Sequence, residues 1–271
     1  MLGTDHIKGQ LNTTWAAQIC YYKEVTDSTN NDAKKLGEEG APHGTLVVAD
    51  KQENGRGSRG RKWETPSGTN IAMSLLLRPD VPSQRISMLT LIMGLSVAQG
   101  IESALLTQNK SIKAQIKWPN DVVIADKKIC GILTELHMND DNTINNVVVG
   151  VGINVNMEEF PTEIKDIAGS VLSTTGVKLD RGLVVAKCME HFEKNYEAFL
   201  KTFDLSLLKE EYEKRLINKD RQVRVLDPAG EYEAIALGID ELGALIVKNN
   251  EGKILNINAG EVTVRGLYSY V

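Results

Sequence analysis

Gly55-Arg56-Gly57-Ser58-Arg59-Gly60-Arg61-Lys62-Trp63 is the stretch on which the fold turns. It spells G-x-G-x-x-G and follows residues 44–50 (GTLVVAD), an apolar run that reads as a strand. A dinucleotide-binding loop with that spelling must open a helix whose N-terminus holds a pyrophosphate. Here Trp63-Glu64-Thr65-Pro66-Ser67-Gly68 follows, and Pro66 with Gly68 is a poor way to begin a helix. No glycine is followed by Lys-Ser or Lys-Thr at the spacing of a phosphate loop. The doubly wound nucleotide folds are therefore set aside. Residues 51–68 remain as a long polar, glycine-rich loop, and such loops in compact domains are usually functional or mobile. Arg56, Arg59, Arg61 and Lys62 stand on a backbone that can approach an anion closely. Arginine forks match phosphate and carboxylate, so the loop suits a polyanion. On composition alone, a solvated basic loop or a nucleic-acid contact stays open.

Outward from the loop, residues 70–78 (NIAMSLLLR) read as a second strand. The spacing of Leu89, Ile92, Met93, Ser96, Val97, Gly100, Ile101, Ala104 and Leu105 predicts a helix over 85–106, with Ser83 as its N-cap. Residues 112–118, 121–125, 129–138 and 146–155 read as successive strands, with turns at 126–127 and 139–142. A second amphipathic helix is expected over 181–203, with Met189, Phe192, Tyr196, Phe199 and Phe203 on its apolar face. From about Gln222 only short alternating strands remain, separated by turns at 227–230, 241–243 and 249–252. Some fifty residues of this texture make a small β-barrel. The expected division is a joining segment at 1–20, a larger α+β domain at 21–217 and a C-terminal barrel at 218–271.

The chain carries 31 lysines and arginines against 36 acids, a formal net charge of -5, which argues against a dedicated nucleic-acid binder. Unbroken apolar runs such as 75–77 and 147–149 are too short to span a bilayer, and the first ten residues lack an apolar signal core. A cytoplasmic protein with no membrane partner is expected. Cys20, Cys130 and Cys188 are sparse and odd in number, as reduced thiols are. His6, His43, His137 and His191 show no zinc-ligand spacing.

The second chemical signal is Lys117-Trp118-Pro119-Asn120-Asp121, a lysine, an amide and a carboxylate at a strand end. Lys128 then opens the apolar run Ile129-Cys130-Gly131-Ile132-Leu133. Asp27-Ser28-Thr29-Asn30 looks like a helix N-terminus, where hydroxyls cap the helix or bind a small polar ligand. Gly150-Val151-Gly152-Ile153-Asn154 ends a strand with glycines and an amide. Singly, each of these is more often structural than functional.

Together and in this order, with Gln52, Glu135 and Gly260-Glu261…Arg265, these runs resemble the biotin protein ligase family over about residues 20–271. The resemblance implies an α+β fold: a mixed-sheet, class II synthetase-like catalytic domain followed by an SH3-like β-barrel. It implies an enzyme that uses ATP, with Mg2+ on the triphosphate, to convert biotin to biotinyl-5'-AMP. Biotin then passes to a lysine of a biotin carboxyl carrier protein. By resemblance, Ser28, Thr29, Asn30, Gln52, Arg56, Gly57, Ser58, Lys128 and Gly131 lie against biotin. Arg59, Arg61, Trp63, Lys117, Asn120, Ile132, Asn154 and Arg265 match positions near the nucleotide. Lys128 and Arg56 would stabilise charge during activation, and Asp121 would orient or deprotonate the acceptor lysine. A homodimer is implied. Ser58 departs from the family, many members of which carry an arginine there that helps to retain the adenylate. Members that also repress transcription have an N-terminal winged helix; only about twenty residues precede the catalytic domain here, so no DNA binding is expected. A lipoate ligase and a biotin- or nucleic-acid-sensing binding module are the alternatives.

Overall fold

The computed structural model describes residues 2–227, 230–259, 263–266 and 270–271, apart from the side chains of Arg59 and Thr263. Helix α1 (Thr4–Lys8) comes first. It is followed by β1 (Cys20–Thr26), α2 (Thr29–Glu38), β2 (Thr45–Gln52), β3 (Ile71–Leu77) and α3 (Met88–Leu106). Then come β4 (Gln115–Lys117), β5 (Asp121–Ile124), β6 (Lys127–Met138) and β7 (Ile144–Ile153). These seven strands form one mixed sheet in the order β1-β2-β3-β7-β6-β5-β4, with β1 parallel to β2 and the other pairs antiparallel.

Side-chain alternation gives the sheet two different faces. Ile71, Met73, Leu75 and Leu77 of β3 and Val147, Val149, Val151 and Ile153 of β7 join the main core. Over that core lie α3 and α5 (Arg181–Thr202), which follows the short α4 (Val171–Thr175). The opposite face is only partly covered. There α2 sets Ala33 and Leu36 against Val47, Leu76 and Val148. Further along, β7 carries Gly150 and Gly152 on the face where Val148 stands earlier in the strand, and this bare patch is where a cleft forms.

Fourteen of the nineteen residues of α3 are buried, which suits a helix enclosed by a sheet and a second helix. Among the described residues, Ser83–Leu106 is long and apolar enough to cross a membrane, but 72% of its apolar window is buried inside this protein. Ser83 is not the cap expected from the sequence. Residues Ser83–Arg85 form a separate 3-10 turn, and the helix begins after Ser87. The residues before the sheet are tied down. Glu193 of α5 accepts hydrogen bonds from the backbone N–H groups of Thr14, Trp15 and Ala16 at 2.8–3.0 Å, and Ile7 is buried.

After α6 (Lys209–Glu213), strands β8 (Gln222–Leu226), β9 (Tyr232–Ile239), β10 (Leu245–Asn249), β11 (Ile254–Ile257) and β12 (Thr263–Gly266) form an antiparallel sheet in the order β11-β10-β9-β8-β12. The sequence led us to expect an SH3-like barrel. Its two outer strands, β11 and β12, are not paired with each other among the described residues, so the sheet is open. Contacts at the edge of β4 and at Trp118 help to join it to the larger sheet. Residues 215–217 line the outer edge of β4, where Ile116 N–H donates to Arg215 O at 2.7 Å and Ile217 N–H to Ile116 O at 2.9 Å. Trp118 is buried, with its indole N–H donating to Gly243 O at 2.9 Å and its backbone N–H to Asn218 Oδ1 at 2.9 Å.

Candidate active site

The floor of the cleft is made by glycines. A Cβ at Gly150 would lie 2.0 Å from Asn30 Oδ1, and one at Gly152 would lie 2.2 Å from Trp63 Nε1. Only a bare backbone lets these two side chains settle on β7. One wall is the start of α2. Ser28 occupies the N-cap position but makes no capping hydrogen bond with its side chain. Gln52 acts in its place, its Oε1 accepting from Thr29 N–H at 2.9 Å and from Thr29 Oγ1 at 3.1 Å. Ser74, the one hydroxyl in strand β3, donates toward Thr29 Oγ1 and Asn30 Oδ1 at 2.8 and 2.6 Å. Asn30 Nδ2 donates to Glu135 Oε2 at 2.6 Å. The α2 wall is thus held by side chains, with the Ser28 hydroxyl left facing the cleft.

The basic loop forms another wall. Gly57 N–H donates to Arg61 O at 2.7 Å and Trp63 N–H to Gly55 O at 2.8 Å, folding the loop on itself around the turn Ser58–Gly60. That fold carries the Trp63 indole onto the glycine floor, where its N–H is buried without a hydrogen-bond partner. Arg56 reaches back to α2, donating to Asn31 Oδ1 at 2.7 Å and standing 3.7 Å from Glu135.

The far end is charged. Register places Lys117 opposite Asp121 and Asp121 opposite Gly131, bringing β4, β5 and β6 together. Lys128 Nζ is 2.6 Å from Asp121 Oδ1 and 5.5 Å from the Trp63 ring centroid. Lys117, only 6% exposed, sets its ammonium 3.6 Å from the ring centroid of Tyr270, whose hydroxyl donates to Asp121 Oδ2. Burial lowers the Lys117 pKa to about 8; Asp121 opposes that fall, and Lys128, Arg265 and Arg61 deepen it. An anion would relieve this crowding of cations. Among the described residues no group of three His, Cys, Asp or Glu side chains could hold a metal.

Of the residues singled out from sequence, Ser28, Thr29, Asn30, Gln52, Arg56, Gly57, Ser58, Trp63, Asn120, Lys128, Gly131 and Ile132 line this one cleft. Lys117 and Asp121 stand behind it through Lys128 and Tyr270. Arg61 and Arg265 are exposed, and the charge of each acts on Lys117. Asn154 is committed to the fold: its Nδ2 donates to Gly169 O at 3.0 Å and its Oδ1 accepts from Asn70 Nδ2 at 3.1 Å. The Arg59 side chain and the Gly260-Glu261 pair lie outside the described residues. Ser74 and Tyr270 escape a reading of the sequence. A lone hydroxyl inside an apolar strand is a signal that could have found Ser74, whereas nothing near Tyr270 marks it.

The Biotin/lipoate A/B protein ligase family profile matches residues 22–154, and the profile of the Biotin protein ligase C terminal domain matches 220–265. The bifunctional ligase/repressor BirA of Bacillus subtilis (strain 168) is 40% identical over 253 residues, which make up 93% of this chain and 76% of that protein. This chain belongs to the biotin protein ligase family. It is similar to the biotin--[acetyl-CoA-carboxylase] ligase of Mycobacterium tuberculosis, at 31% identity over 240 residues, 88% of this chain and 85% of that one. The fold of this biotin protein ligase also matches the Aquifex aeolicus biotin protein ligase solved with biotin and ATP. The TM-score is 0.79 at 32% identity, over 92% of this chain and 99% of that one. The chain is therefore a biotin ligase enzyme, with a mixed sheet followed by a C-terminal β domain.

Proposed function

We propose that the cleft activates biotin with ATP to biotinyl-5'-AMP and transfers the biotinyl group to a lysine of a biotin carboxyl carrier protein. One observation carries the reading: the α2 wall, the basic loop and the Asp121–Lys128 pair, drawn from separate stretches of chain, face one another across a glycine floor. In the first step a biotin carboxylate oxygen attacks the α-phosphorus of ATP and pyrophosphate leaves. Two anions must approach, so cations have to screen them. Lys128, and Arg56 at the loop, serve the carboxylate; Lys117, Arg61 and Arg265, with the loop arginine Arg59, serve the phosphates. Ser28, Thr29, Asn30, Gln52, Gly57, Ser58 and Gly131 hold biotin, and Trp63, Asn120 and Ile132 border the nucleotide, while Asn154 acts only through the fold it fixes. In the second step the acceptor amine attacks the carbonyl carbon of the mixed anhydride and AMP leaves. Asp121 accepts the proton from that amine once substrate has drawn Lys128 away.

Mg2+ would be bound by phosphate oxygens and would neutralise their charge, since the described part of the chain offers no carboxylate cage. A joining segment at 1–20, a substrate-binding unit at 21–217 and a C-terminal unit at 218–271 complete the proposal, in a cytoplasmic homodimer. ATP–pyrophosphate exchange tests it. Exchange should require biotin, fail with lipoate, and be followed by labelling of a carrier domain at one lysine. Exchange without biotin, or with lipoate as well, would reject the reading.

A further inference from the structure

Two of the cations given work above, Lys117 and Lys128, lead to the same side chain. Tyr270 lies beyond β12, outside every motif that marks the cleft. Its ring lies under the Lys117 ammonium at 3.6 Å, and its hydroxyl donates to Asp121 Oδ2, the carboxylate whose other oxygen holds Lys128 at 2.6 Å. Its neighbour Val271 is 8% exposed and packs with Val123 of β5 and Ile217, which fixes where the ring stands. We propose that Tyr270 is a positioning residue for both lysines, holding Lys117 with its ring and Lys128, through Asp121, with its hydroxyl.

The physical case is one of crowded charge. Lys117 faces Asp121 from β5, Lys128 from β6, Arg61 from the basic loop and Arg265 from β12. Three of those four are cations, and the one acid is shared with Lys128. The negative face of an aromatic ring stabilises a partly desolvated ammonium without adding a second anion. A second carboxylate there would bind the lysines too firmly and repel the incoming phosphates. The hydroxyl fixes the carboxylate rotamer, so that Asp121 Oδ1 is aimed at Lys128 and not at Lys117. Burial and the Asp121 charge both raise the Tyr270 pKa, so the phenol remains a donor at all working pH values.

The inference rests on Lys117 meeting phosphate and Lys128 meeting carboxylate, so the test separates the two ideas. Biotin-dependent pyrophosphate exchange is measured for Tyr270→Phe and Tyr270→Leu across biotin, ATP and pH, beside Lys117→Met and Lys128→Ala. Tyr270→Phe keeps the ring and should raise the KM for biotin or lower kcat by about tenfold, the scale of one charge-assisted hydrogen bond, with the KM for ATP unchanged. Tyr270→Leu should add a threefold to tenfold rise in the KM for ATP, roughly the worth of a cation–π contact. It should also move the alkaline limb of the rate to lower pH than in the wild type, because an ammonium that loses its stabiliser gives up its proton sooner. If the lysine variants act as proposed while both Tyr270 variants match wild type, the role of Tyr270 is overturned and the site reading stands. The role of Tyr270 is overturned equally if both of its variants lose kcat and both KM values together with a lowered melting midpoint, as a merely structural residue would. Lysine variants that leave exchange intact would overturn the site reading and this inference with it.

Discussion

Gly152 and the Trp63 indole occupy the same few ångströms, and neither can be changed without moving the other. A methyl group at Gly152 would have to displace an aromatic ring, because the contact is too short to absorb. Gly152→Ala is therefore expected to expel Trp63 into solvent, with a red shift of tryptophan emission that disappears in a Trp63→Phe background. Lys128 tests the charge at the other end of the cleft. Lys128→Ala should slow adenylate formation by at least about a hundredfold, the usual cost of removing one well-placed electrostatic donor, read as biotin-dependent pyrophosphate exchange. Ser58 lines the cleft with a short neutral side chain where an arginine could reach the adenylate. Ser58→Arg should slow release of preformed adenylate by about ten- to a hundredfold, the equivalent of about 1.5–3 kcal/mol for one charge-assisted bond. Off-rates measured on both proteins, with labelling of a bystander protein as a second readout, decide it.

Elements are held by a different set of residues, and Glu193 shows how. Its carboxylate ties three consecutive N–H groups of the N-terminal strap to α5. Burial opposes its ionisation, but the N–H groups of Ala16, Trp15 and Thr14 outweigh burial and hold its pKa below the ordinary 4.5. A depressed folded-state pKa stabilises above the unfolded value and is lost as pH falls through the folded one. Glu193→Gln should thus cost about 1–3 kcal/mol near pH 7, with the gap to wild type narrowing below pH 4.5, as followed by chemical denaturation. The central elements could be read from the sequence because they are buried. β2, β3, β7, α3 and α5 carry apolar patterns enforced by the core, and each lies close to its expected span. β1 escapes the pattern and α2 shows only its N-terminus at 27–30, since Lys23, Glu24 and the polar run of α2 leave half a pattern at the sheet margin. The turn expected at 126–127 sits one residue earlier, with positive φ at Ala125 and Asp126, so Lys127 already belongs to β6. Ser28, Arg56 and Lys128 could be singled out because their motifs are dense. The commitment of Asn154 to Gly169 and Asn70, and the arrival of Tyr270, are matters of partner choice across the fold, which local spelling does not carry.

At the scale of the molecule, one strand edge stands free. β5 pairs with β6 only as far as Gly131, so beyond Ile132 the outer edge of β6 has no strand partner among the described residues. Leu136 and Met138 there are 39% and 43% exposed. An unpaired edge with exposed apolar side chains is a ready surface for a second copy. Light scattering should give about twice the chain mass of 29.8 kDa. Leu136→Lys, which adds a charge at the edge, should shift the protein toward monomer while leaving its melting midpoint near wild type. A wild-type protein that stays monomeric at high concentration, with and without biotin and ATP, would rule the dimer out.

The rivet at Trp118 has a bearing on how such chains can vary in length. Its indole reaches the Gly243 carbonyl, and the residues flanking it in sequence include Lys117, Asn120 and Asp121. The hairpin at 240–244 therefore acts as a spacer gauge for the cleft. The turn at 139–142, exposed and bonded mostly to itself, can gain or lose residues with little consequence. An insertion at 240–244 would shift the carbonyl that seats the indole and carry the misfit straight to the ammonium of Lys117. Among natural variants of this architecture, length polymorphism should gather at 139–142 and be purged from 240–244.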